Sequence, residues 1–92
     1  MRLSQNEQDT IKKTVQGYDP QARVLLFGSR TDSNRKGGDI DLLVLSHQLG
    51  FREKLEILAD LHGTLGEQKI DLLIDDGTGD FARSVLPTAI EL

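Results

Sequence analysis

The chain has 92 residues, enough for one domain, with a net charge of −4 and no cysteine. Disulfides and thiolate metal sites are excluded, and an acidic balance weighs against a protein that coats nucleic acid. The polar start "MRLSQNEQDTIKK" has no signal-peptide apolar region, and no run approaches the roughly 20 apolar residues of a membrane span, so a cytoplasmic protein is expected.

"SQNEQDTIKKTVQGY" reads as a first helix. Ser4 and Glu7 have the S-x-x-E spacing of a capping box, Ile11 and Val15 share a face, and Gly17 is a plausible stop. Asp19-Pro20 is a turn signal. "ARVLLFG" (22–28) is the first predicted strand and "DIDLLVLS" (39–46) the second. "FREKLEILADLHGTLGE" reads as a second helix, with Phe51, Leu55, Leu58, His62 and Leu65 on one face. His62 reads as a half-buried packing residue on that face, and His47 as a loop residue. "KIDLLID" (69–75) is the third predicted strand. "DDGTGD" (75–80) lacks the ligand spacing of a calcium loop and reads as an acidic turn. "FARSVLPTAIEL" reads as a short last helix interrupted near Pro87.

The second and third strands are near-continuous apolar runs, which suits strands covered on both faces. About 20 residues containing a helix join them, which suits a parallel crossover. Only ten residues separate Gly28 from Asp39, which suits antiparallel neighbours. The expected fold is α/β (α+β): a small mixed sheet with flanking helices, in one domain over residues 1–92.

This topology carries a chemical expectation. Residues i and i+2 of a strand point to one face, so Asp39 and Asp41 point together. With parallel second and third strands, Asp71 shares their end of the sheet, and Gly28-Ser29 arrive there from the first strand. Clustered carboxylates repel unless a cation neutralises them, and hard oxygen donors suit Mg²⁺ or Mn²⁺. Two such ions can clamp the attacking and leaving oxygens of a phosphoryl displacement. Gly28 lets the backbone approach a phosphate, and the Ser29 hydroxyl can donate to it. Arg30, Arg35 and Lys36 add positive charge in the same loop. A D-x-D alone is a weak signal; the ordered set of G-S, D-x-D and a third Asp on another apolar run is a strong one.

The set "FGSR…GGDIDLLV…KIDLLI", within residues 24–92, resembles the nucleotidyltransferase superfamily that includes DNA polymerase beta. More closely it resembles the minimal nucleotidyltransferases (MNT) that pair with HEPN-domain proteins in toxin–antitoxin modules. The resemblance implies the nucleotidyltransferase fold, with Gly28 and Ser29 holding a nucleoside triphosphate; Arg30, by its charge in the same loop, is a candidate nucleotide contact or a solvated loop charge. It implies Asp39 and Asp41 as ligands of two Mg²⁺ ions and Asp71 as ligand of the ion that activates the acceptor. Gly38 stands where many members have Ser before the first aspartate, and the second helical domain of larger relatives is not expected here. The implied function is Mg²⁺-dependent transfer of AMP from ATP to a hydroxyl, a tyrosine of a HEPN-type toxin, by a protein acting as antitoxin. The alternatives are a non-catalytic antitoxin that neutralises its partner by complex formation, and transfer to a small molecule. Neither membrane association nor direct nucleic-acid binding is expected.

Overall fold

The computed structural model describes residues 3–28, 40–66 and 68–92. Ser29, Arg30, Arg35, Lys36, Gly38 and Asp39 lie outside the described residues. Helix α1 spans Gln5–Tyr18, and its start is set locally. The Glu7 N–H donates to Ser4 Oγ at 3.1 Å, and the Ser4 N–H donates back to Glu7 Oε1 at 3.0 Å. Two of the orphan donors of the first turn are thereby satisfied. The helix passes through Gly17 and stops only at Asp19, whose extended backbone lets its N–H cap the Val15 carbonyl.

Strand β1 is Arg23–Phe27, β2 is Ile40–Leu45 and β3 is Ile70–Asp75. Helix α2, Phe51–Leu65, lies between β2 and β3. Helix α3, Asp80–Val85, is followed by a single 3-10 turn, Leu86–Thr88, and a two-residue strand β4, Ile90–Glu91. The sheet order is β3-β2-β1-β4, with β1 antiparallel to β2 and to β4, and β2 parallel to β3. This is the expected mixed sheet with flanking helices.

Register sorts the apolar residues into two faces. Val24, Val44 and Ile74 form one row, and Leu26, Leu42 and Leu72 the next. These rows, with Ile40 and Ile70, pack on Ile11 and Val15 of α1 and Ile57 and Leu61 of α2. The opposite face presents Leu25, Leu43 and Leu73, which pack with Ala82 and Val85 of α3. The central strand β2 is therefore buried on both faces over Leu42–Val44, as its continuous apolar run suggests. Strand β3 is an edge strand, and its Leu73 and Ile74 are only half-buried.

Three sequence expectations need correction. The buried stripe of α2 is Ile57 and Leu61, flanked by half-buried Leu58 and Leu65; Phe51 and Leu55 are 72% and 52% exposed. His62 is exposed rather than half-buried. The tail is not one interrupted helix: after Pro87 the chain returns to the sheet, and the Leu92 N–H donates to the Val24 carbonyl at 2.9 Å. Arg23 and Glu91 pair across that last strand at 2.6 Å, an exposed ion pair worth about 0–1 kcal/mol.

Candidate functional site

On the α3 face, one row that crosses the sheet carries carboxylates where its neighbour is all leucine. Phe27 is the register partner of Asp41, and Asp41 that of Asp71. Register partners on adjacent strands share a face, about 4.8 Å apart. The row Phe27–Asp41–Asp71 is therefore the continuation of the apolar row Leu25–Leu43–Leu73. Helix α3, six residues long, packs on the apolar row through Ala82 and Val85 and meets the next row at Phe27. Asp41 stays half-buried and Asp71 exposed.

Alternation explains why the strand tolerates this. Ile40, just before Asp41, is fully buried on the α1/α2 side. Its N–H donates to the Lys69 carbonyl at 2.9 Å, which locks β2 and β3 in register at this end. A slip by one residue would bury both carboxylates and expose both isoleucines.

Gly28 closes β1 beside Asp41 with φ +77, in the left-handed region that favours glycine. A Cβ built on Gly28 would collide with Asp41 Oδ2 and lie 3.2 Å from Asp41 Cγ. Gly28, Asp41 and Asp71 thus meet at one end of the sheet, although 42 residues separate the first from the last. The remaining three predicted residues, Ser29, Arg30 and Asp39, lie outside the described residues. Among the described residues, no three His, Asp or Glu side chains gather as a metal-holding group.

A cleft opens beside Asp71 along the β3 edge, walled by Phe27, Leu58, Leu72, Leu73 and Lys54. Sequence reasoning did not single out Phe27 or Lys54. Lys54 lies in the first turns of α2, and nothing in its local pattern shows that the crossover returns it to Asp71. Phe81 of α3 also stands at this face. Its ring centroid is 5.6 Å from that of Phe27, at 69°, an edge-on pair.

A more enclosed concavity lies at the opposite sheet end, lined by Asp19, Arg23, Ser46, His47 and Asp76 among others. Its polar groups are committed to structure. Ser46 Oγ donates to Asp19 Oδ2 at 2.6 Å and accepts from the Gln48 and Leu49 N–H groups. The Gln21 N–H donates to the other Asp19 oxygen. The acidic turn is similarly self-contained. Asp75 Oδ2 accepts from the Gly77 and Gly79 N–H groups at 2.8 and 3.0 Å. Hydrogen bonds from the Thr78 hydroxyl and then the Thr78 N–H hold the Asp76 carboxyl below the usual carboxylate range, with a smaller contribution from the charge of His47. His47 itself is an exposed loop residue, as expected.

Among the described residues, no helix is long and apolar enough to cross a membrane. Comparison with curated proteins returns no match. Residues 9–92 match the family described as "Polymerase beta, Nucleotidyltransferase", and with nearly the whole chain covered, the protein belongs to that nucleotidyltransferase family.

Proposed function

We propose that this protein is a metal-dependent nucleotidyltransferase, one domain over residues 1–92, whose reaction centre is the corner where Gly28, Asp41 and Asp71 meet. The observation that carries the reading is the register pairing of Asp41 with Asp71 on the open part of the α3 face, with Gly28 against Asp41. Two carboxylates side by side repel each other, and a divalent cation resolves the repulsion. The donor set is hard oxygen only, which fits Mg²⁺ or Mn²⁺ and does not fit a soft-ligand metal. Asp39, two positions before Asp41 in an alternating strand, is the proposed third carboxylate. Bound there, the metal supplies charge neutralisation for the phosphates and acidity for the acceptor hydroxyl.

The protein's own groups divide the remaining work. Gly28 brings backbone close to the triphosphate, and Ser29 and Arg30 donate to its oxygens. Asp71, exposed at the mouth of the cleft, orients the acceptor hydroxyl and takes its proton. The acceptor oxygen forms a bond to the α-phosphorus, and the bond to pyrophosphate breaks. The substrate in this reading is ATP and the transferred group AMP. The acceptor is a tyrosine of a HEPN-type toxin in the cytoplasm, and this chain is the antitoxin. The similarity of "FGSR…GGDIDLLV…KIDLLI" to minimal nucleotidyltransferases supports that finer assignment.

The test is incubation with ATP labelled at the α-phosphate, Mg²⁺ and the partner encoded beside this protein. Label on the partner's tyrosine is expected, and its loss in Asp39→Asn, Asp41→Asn and Asp71→Asn variants that still fold. An unlabelled complex that forms equally well without the three carboxylates would establish a binding-only antitoxin instead.

A further inference from the structure

Phe81 is one of three exposed large apolar side chains among the described residues, and it stands at the face that carries Asp41 and Asp71. It is 54% exposed, while its neighbour Ala82 is 1% exposed in the core of the same short helix. Leaving a phenyl ring in water forgoes the stabilisation that burial gives an aromatic side chain. The ring is nevertheless held in place. Its centroid is 5.6 Å from that of Phe27 and the two planes meet at 69°, an edge-to-face pair in which Phe27 covers at most one of the two faces of the Phe81 ring. Phe27 is the register partner of Asp41, directly precedes Gly28, and lines the cleft that contains Asp71. A half-exposed aromatic ring therefore stands against the β1 end of the carboxylate row.

We propose that Phe81 is the stacking platform for the nucleobase of the bound nucleotide. The inference rests on reading Gly28 and the carboxylates as a nucleoside-triphosphate site. A purine or pyrimidine base offers a flat π-face to an aromatic ring, and such stacking tolerates every base. Phe81 packs on Phe27, the residue that directly precedes Gly28 at the corner assigned to the triphosphate, and this nearness is what assigns it to the nucleotide. A stacking platform binds ATP in preference to GTP, CTP or UTP only weakly, so base choice has to come from other contacts.

The experiment is calorimetric titration of the full chain, with Mg²⁺, by ATP and by inorganic tripolyphosphate. The variants are Phe81→Leu and Phe81→Met, which keep an apolar side chain and remove the π-face, and Phe81→Tyr, which keeps it. The expected result is ATP affinity about tenfold weaker or more in Phe81→Leu and Phe81→Met, retained in Phe81→Tyr, with tripolyphosphate affinity unchanged throughout. Equal ATP affinity in wild type and both aliphatic variants overturns the inference and leaves the phosphate site standing. An aliphatic variant with normal ATP affinity and a raised KM for the acceptor overturns it in favour of an acceptor contact. Failure of wild type to bind either ligand removes the triphosphate reading and this inference together.

Discussion

The Asp41 carboxylate occupies the space in which a side chain on Gly28 would begin. Its Oδ2 and Cγ crowd that point, and Gly28 has φ +77. Gly28→Ala meets two obstacles at once, a left-handed backbone costing about 1–2 kcal/mol and a displaced carboxylate. The expected result is a thermal midpoint lower by several degrees and nucleotidyl transfer reduced by about 100-fold or more. Differential scanning calorimetry and the labelled-ATP assay read the two effects separately. Normal transfer by the alanine variant would remove Gly28 from the site.

Asp71→Asn separates function from stability. Asp71 is exposed and lies beside Asp41, so losing its charge relieves a like-charge pair worth about a few tenths of a kcal/mol. Stability should hold or rise slightly in urea unfolding at low salt, while Mg²⁺-dependent transfer falls by about 100-fold or more. A variant that loses stability and keeps transfer would contradict both halves.

Ser46→Ala should destabilise the fold without touching the chemistry. The Ser46 hydroxyl is buried 27 positions from Asp19, donates to it, and accepts two backbone N–H groups. Alanine leaves a buried carboxylate and two donors short of partners, at a cost of about 1–3 kcal/mol. Denaturant unfolding measures this. Transfer per folded molecule should be unchanged, because Ser46 sits at the sheet end opposite Asp41.

Tyr18 gives an alkaline signature. Its hydroxyl donates to Asp60 at 2.6 Å, joining α1 to α2. That hydrogen bond, then burial, then the charges of Asp60 and Glu56, push the phenol up from 10.0 to about 12. The folded state favours the protonated phenol. The resulting stabilisation is fully present below pH 10 and is lost as pH rises through 12. Tyr18 is the chain's single tyrosine and there is no tryptophan, so ultraviolet titration reports it alone. The midpoint should fall toward about 10 in Asp60→Asn. An unchanged midpoint would show that Asp60 is not its cause.

The parts of this protein legible from sequence are those with short-range causes. Ser4 and Glu7 are three residues apart, and their capping box starts α1 as expected. The apolar runs in β1, β2 and β3 are dense enough to read directly, and the lengths of their connections decide antiparallel from parallel pairing. From that pairing follows the meeting of Gly28, Asp41 and Asp71. Ser29, Arg30 and Asp39 rest on sequence reasoning alone.

What the sequence left open was settled by contacts between distant residues. Helix α2 carries two apolar stripes, Phe51–Leu55 and Ile57–Leu61, and helical periodicity accepts either. Packing against α1 and the sheet selects the second. Strand β4 has only two residues, too few for a pattern of its own, and exists because β1 offers its free edge. The approach of Lys54 to the Asp71 cleft, of Phe81 to Phe27, and of Ser46 to Asp19 likewise has no local signal. Backbone propensity and patterning act over a few residues. Which of several acceptable faces is buried depends on what the rest of the chain places against it, and that is decided only when the whole core assembles.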